Sequence, residues 1–214
     1  MLPDILSTGL RVVFCGTAVS TTSAARGHYY SGRGNKFWHL LHDAGFTPTR
    51  LSPVDDITLP DHGLGVTDLV KGVAQSHDRG LDFSATDAFA GRLIEVAPVW
   101  VAFNGLRAAR ETASRLHQRK KDVVLGEASW LIGSSRVFVL PSSSGANATL
   151  PFSAKLKWWT QLRELAGFDG SFSDHCRSHP CAHCMTGSAS SDGRATPYAA
   201  LSRGCAQDRL HRRD

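Results

Sequence analysis

The 214-residue chain has no run of about 18 consecutive apolar residues, the length a membrane-spanning helix requires, so such a helix is excluded. Its first residues lack the basic and apolar regions of a secretory leader. An intracellular protein is therefore expected, cytoplasmic or, in a bacterium, associated with the nucleoid. Cysteine is sparse where a disulfide-stapled domain would need it. Of five, Cys15 lies in an apolar run and is expected to be an inert core thiol, while Cys176, Cys181, Cys184 and Cys205 cluster near the end. The Gly-x-Gly-x-x-Gly fingerprint is missing after the first strand, which continues as GTAVSTTS, and this argues against a nucleotide-cofactor site. No charge of one sign dominates: 24 Lys and Arg against 19 Asp and Glu give +5, which favours anionic partners only weakly.

What is present suits one α/β domain, set at residues 1–168, followed by a tail at 169–214. Val12-Val13-Phe14-Cys15, closed by Gly16, reads as a buried strand, and Asn35–Gly45 as an amphipathic helix. The intervening loop has about eighteen residues, far more than an α/β connection needs, and carries Arg26, His28, Tyr29, Tyr30 and Arg33. Long loops rich in aromatic and basic residues are where function concentrates. Thr47–Asp61 reads as a surface connection and Gly63–Val70 as a short, irregular strand or a loop returning to the sheet end. A helix follows from a Ser84 cap to Val96, then a strand Val99–Phe103 buried on both faces and ending at Asn104-Gly105. Leu106–Arg119 reads as a basic helix whose charges mostly face solvent. Gly126–Gly133 reads as a loop, Arg136–Leu140 as a fourth strand, and Lys155–Ala166 as the closing helix. Three polar loops thus follow strands and converge on one sheet edge, where open α/β sheets bind ligands.

Those loops carry Gly16-Thr17-Ala18-Val19-Ser20, Gly27-His28-Tyr29-Tyr30, Gly34-Asn35-Lys36-Phe37-Trp38, Gly65-Val66-Thr67-Asp68-Leu69-Val70, Ala102-Phe103-Asn104-Gly105 and Leu140-Pro141-Ser142-Ser143-Ser144. In this order the segments resemble the motifs of the mismatch-specific uracil/thymine-DNA glycosylase family, within the uracil-DNA glycosylase superfamily, over residues 10–166. The resemblance implies a three-layer α/β/α sandwich with a mainly parallel four-stranded sheet. It also implies a monofunctional glycosylase that flips uracil out of DNA and hydrolyses its N-glycosidic bond.

Carried over by position, Tyr30 stacks on the base, Asn104 reads its edge, and Gly16, Thr17 and Ala18 line the base site. An amide offers both a donor and an acceptor, matching uracil N3–H and O4 but not unmodified cytosine. Tyr29 stands where thymine-excising relatives have a histidine, so the larger ring implies exclusion of the thymine methyl. Ser142, Ser143, Ser144 and Gly145 resemble a phosphate-pinching loop, and Asn35 joins the same DNA-binding set. Ala146 replaces the wedge that relatives insert into duplex DNA, which implies a preference for single strands, where unstacking costs less.

Ala18 departs from the family, which has there an Asn that positions the attacking water. Asp68 is the first candidate to take over that task, since an ionised carboxylate orients water and stabilises a cationic sugar; His28 is the second. The alternative is that Ala18 disables the enzyme and leaves a non-catalytic sensor of uracil or abasic sites. The expected partner is uracil-containing DNA, with a monomeric protein, no membrane and no cofactor. In the tail, Cys176, Cys181 and Cys184 have only part of the spacing of a zinc site, so no metal is expected.

Overall fold

In the computed structural model, residues 2–77, 79–145 and 150–168 are described, and the fold below is built from them. Val12–Val19 forms β1, in which Val12, Val13, Phe14 and Cys15 are wholly buried. β2 (Leu64–Ala74), β3 (Trp100–Asn104), β4 (Gly126–Ile132) and β5 (Ser135–Leu140) complete one sheet in the order β2-β1-β3-β5-β4. All neighbours run parallel except β4, which is antiparallel to β5. The α/β sandwich expected from the sequence is therefore present with five strands rather than four. The added strand is the segment expected to be a loop. Its residues alternate, with Trp130 and Ile132 buried and Glu127 and Leu131 exposed, the pattern of a half-covered edge strand.

Alternation along the central strands divides the core between two faces. On one, Val12, Phe14, Trp100, Ala102, Phe138 and Leu140 pack with α2 (Phe37–Asp43) and α5 (Phe152–Leu165). On the other, Val13, Cys15, Val101, Phe103, Val137 and Val139 pack with α3 (Thr86–Val96) and α4 (Leu106–Arg115). Phe14 stacks on Trp159 at 5.1 Å between centroids and meets Phe37 edge-on at 5.4 Å. Such pairs each add about 0.5–1.5 kcal/mol beyond area burial, and here they fix α2 and α5 to β1.

Several local expectations shift. α1 (Thr21–Arg26), capped by Ser20, occupies part of the long first loop. β2 is an 11-residue strand rather than a short irregular one, and Pro53–His62 winds as a 3₁₀ helix. Ser84 does not cap α3: Ala85 holds that position, while Ser84 bonds to Asp82.

The outer edge of β2 is covered by the N-terminal segment through paired backbone bonds of 3.0 Å between Ile5 and Val66. Gly65 permits this approach, because a Cβ there would lie 2.8 Å from the Ile5 carbonyl oxygen. Gly65→Ala is expected to lower the stability by about 1–3 kcal/mol, the usual cost of overpacking, in urea unfolding monitored by circular dichroism.

Candidate active site

The chain leaves β1 for β2 on one side and then returns to β3 on the other, so the sheet's topological switch point falls between β1 and β3. Ligands of open α/β folds bind beyond the carboxyl ends of the strands at such a point. A cleft of about 1040 Å³ opens there, bounded by Gly16 and Ala18 of β1, Asp68 of β2, Asn104 of β3 and Ser142 after β5. Thr17, Tyr29, Tyr30, Asn35, Ser143 and Ser144 also line it.

A close approach in the cleft joins neighbouring strands. Gly16 pairs with Asp68 in the parallel register, and a Cβ on Gly16 would lie 2.4 Å from Asp68 Oδ1 and 3.5 Å from the Tyr30 hydroxyl. Only a residue without a side chain lets the carboxyl lie over β1. Asp68 is 3% exposed, and burial pushes its carboxyl up to about 7, with Lys71 pulling down and Asp4 adding to the rise. The group thus changes charge near neutrality.

Tyr30 sits at φ 53°, a left-handed conformation that non-glycine residues seldom adopt. One face of its ring stacks on Phe37 at 3.9 Å, so at most the opposite face is open to a ligand. Its buried hydroxyl adjoins Asn104 without reaching a well-formed hydrogen bond, and burial followed by the Asp68 charge holds it protonated.

Asn104 is fixed by Ser143. The Ser143 backbone N–H donates to Asn104 Oδ1 at 2.8 Å, and Asn104 Nδ2 donates to Ser143 Oγ at 2.8 Å. That hydroxyl donates in turn to Asn35 Oδ1 at 2.9 Å, and the Ser143 carbonyl accepts from Lys36 N–H. Ser143 is fully buried with N–H, hydroxyl and carbonyl engaged, so the serine expected at a phosphate instead ties β3, the first loop and the β5 loop together. Ser142 and Ser144 lie at the cleft surface, and Gly145 is exposed against the Gly34 backbone. Ala146 lies outside the described residues.

Tyr29 is 2% exposed, and its hydroxyl accepts a 2.9 Å bond from Lys71 Nζ. His28 is not brought into the cleft. Its Nδ1 lies 3.2 Å from Asp56 Oδ1, while Asp56 Oδ2 accepts the Tyr29 N–H, so both hold the aromatic loop. Several cleft residues escaped the sequence reading. Gln75, Ser76 and His77 follow β2 at the rim, Lys155 enters from the first turn of α5, and Glu111 pairs with Arg107 and Lys120. Of these only the basic helix carrying Arg107 was visible as a charge pattern.

Among the described residues no group of three His, Cys, Asp or Glu side chains is placed to hold a metal ion, and no helix is long and apolar enough to cross a membrane. Cys176, Cys181 and Cys184 lie outside the described residues.

A carboxyl raised by burial contributes stability fully below its unfolded value, near 4, and loses it as the pH rises through its folded value of about 7. Asp68→Asn cannot ionise. It is expected to be more stable than wild type near pH 8.5 by a few kcal/mol, at roughly 1.4 kcal/mol per pKa unit, with the difference vanishing near pH 4. Denaturant unfolding at the two pH values checks this.

The uracil DNA glycosylase superfamily model matches residues 3–163. Among solved structures, one similar chain is that of a Methanosarcina acetivorans protein, solved by solution NMR, with a provisional uracil DNA glycosylase assignment. It is 23% identical, the match covers 77% of this chain and 96% of that one, and the TM-score is 0.46. With three quarters of its sequence matched by the superfamily model, the chain belongs to the uracil DNA glycosylase superfamily.

Proposed function

We propose that the protein is a monofunctional DNA glycosylase that excises uracil, placed by its motifs beside the mismatch-specific family, with Asp68 activating the water that other members position with Asn. The observation that carries this reading is the Asp68 carboxyl, buried in the cleft against Gly16 and poised near pH 7. A general base works best when its pKa lies near the operating pH. Above about pH 7 Asp68 is a carboxylate, accepts a proton from water, and faces the developing positive charge of the sugar. The water oxygen bonds to C1′ as the C1′–N1 bond breaks. The bonding electrons leave with the base, and the product is an abasic site.

Tyr30 offers its open face to the flipped base, worth roughly 1–3 kcal/mol of stacking. Ser143 presents to Asn104 the donor and acceptor order of uracil N3–H and O4, so the amide is already turned in the sense that accepts uracil and rejects cytosine. With Ser143 in place, Asn104 keeps a second Oδ1 lone pair and a second Nδ2 hydrogen for the entering base. Tyr29, held by Lys71, forms a rigid wall suited to excluding the thymine methyl. Ser142, Ser144 and Gly145 face the DNA backbone, and Ala146 supplies no wedge, which favours single-stranded substrate. Ala18, which cannot hydrogen-bond through its side chain, motivates a second reading, a non-catalytic sensor of uracil or abasic sites.

Single-turnover assays of abasic-site formation on matched single-stranded U, U:G, U:A and T:G DNA test the proposal. Release of uracil, fastest on the single strand, with little release of thymine is the expected result; tight binding of uracil DNA without release would establish the sensor. Asp68→Asn is expected to lower the rate by at least roughly tenfold and up to 10⁴-fold. Gly16→Ala, which displaces the same carboxyl, is expected to follow it, whereas wild-type rates in both variants would remove Asp68 from the mechanism.

A further inference from the structure

A water held by the Asp68 carboxylate alone has one hydrogen bond and is free to turn about it. Alanine at position 18 adds nothing, since its methyl forms no hydrogen bond. The end of β1 offers a second group. A Cβ on Gly16 would lie 2.4 Å from Asp68 Oδ1 and 3.5 Å from the Tyr30 hydroxyl, so both oxygens approach one point over the strand. They cannot stand further apart than these two distances together, about the span of a single water that makes bonds of roughly 2.7–3.0 Å on each side.

The Tyr30 hydroxyl is buried and has no hydrogen-bond partner among the described residues. Polar groups around it are engaged elsewhere: Asn104 and Asn35 bond to Ser143, and the Tyr29 hydroxyl takes the Lys71 ammonium. An unbonded buried hydroxyl is unfavourable, and native proteins keep few of them. This one is held in place at a cost to the backbone as well. Tyr30 has φ 53°, and both neighbours are tied down: Asp56 Oδ2 accepts the Tyr29 N–H at 2.9 Å, Ser23 Oγ accepts the Ser31 N–H at 3.1 Å, and Arg26 donates to the Ser31 carbonyl at 2.7 Å. Strained residues persist where their surroundings over-determine them, and they cluster at active sites. Phe37, stacked at 3.9 Å, sets the plane of the ring and with it the place of the hydroxyl.

We propose that the Tyr30 hydroxyl is a further catalytic group, the second anchor of the attacking water: the water donates one hydrogen to Asp68 and the other to Tyr30 Oη, which turns an oxygen lone pair toward C1′. The inference rests on the reading of Asp68 as the water-activating group. As the water oxygen bonds to C1′ and the C1′–N1 bond breaks, one proton passes to Asp68 and the bonding electrons leave with the base. Tyr30 neither gains nor loses a proton, a role that suits a phenol held protonated by burial and by the neighbouring carboxyl. One side chain thereby serves twice, its open face for the base and its hydroxyl edge for the water. Fixing both hydrogens matters because a misplacement of about 1 Å can cost roughly 10²-fold in rate.

The test is Tyr30→Phe, which keeps the ring and its faces and removes only the oxygen, in full-length protein with folding verified by thermal melting. Single-turnover uracil release from single-stranded DNA is expected to fall roughly 10–100-fold. Binding of the same strand carrying the slowly cleaved 2′-fluoro-2′-deoxyuridine is expected to stay within about twofold, the pattern of a contact made only on the way to the transition state. Tyr30→Leu removes the stacking face as well and is expected to weaken that binding roughly tenfold. In an Asp68→Asn background Tyr30→Phe is expected to cost about twofold or less, because groups that hold one water do not act additively. Loss of rate and binding together in Tyr30→Phe, or the same loss of rate with and without Asp68, would overturn the inference. Crystals of wild type with the fluorinated strand decide the matter if Tyr30→Phe does not fold: a water bonded to both Asp68 and Tyr30 Oη is expected, and one bonded to Asp68 alone would overturn it. If Tyr30→Phe keeps the wild-type rate while Asp68→Asn loses it, only the role of the hydroxyl fails; if Asp68→Asn keeps the wild-type rate, or wild type releases no uracil, the reading of Asp68 fails and the inference with it.

Discussion

The missing Cβ of Gly16 is the constraint on which the rest of the site depends. Parallel pairing sets Gly16 beside Asp68, and the space a side chain would fill is taken by the carboxyl, 2.4 Å from where that Cβ would stand. The carboxyl is thereby held over the strand end, beside the Tyr30 hydroxyl and next to the strand that carries Asn104. Burying a carboxyl is unfavourable to its charged form, and the protein keeps it at about 7 rather than suppressing ionisation altogether.

Around this contact the site is an extension of the core. Phe37 packs on Phe14 in the interior and stacks under Tyr30 in the cleft, so the same ring that stabilises α2 also sets the plane of the aromatic wall. Ser143 plays the corresponding part on the opposite side. Its three bonded groups join Asn104, Asn35 and Lys36, giving the Asn104 amide a single orientation. Polar networks satisfied in this way rigidify the geometry they enclose.

Much of this was legible in the sequence. The apolar runs at Val12–Cys15 and Val99–Phe103 and the unusual length of the first loop are local signals, although Val99 is exposed and lies outside β3; Gly16, Asp68 and Asn104 were picked out by the ordered motif resemblance, and the structure brings these three residues to one cleft. What was not legible depends on pairing between distant segments. The edge strand β4 has the two-residue alternation of a strand, but Gly126 and polar residues at its outward positions resemble a loop when no partner is known. The burial of Ser143 and the turning of His28 toward Asp56 follow from partners 28 or more residues away. The Asp4–Lys71 pair likewise joins the N-terminal segment to a bulge that no periodicity announces.

The most direct measurement of the central claim is a crystal structure of the full-length protein with single-stranded DNA carrying 2′-fluoro-2′-deoxyuridine, whose fluorine destabilises the cationic sugar and slows cleavage. The account expects an ordered water within about 3.2 Å of an Asp68 carboxyl oxygen and on the side of C1′ opposite the base, with uracil on the open face of Tyr30. A base bound with no water between Asp68 and C1′, or with Asp68 turned away from the sugar, would contradict it.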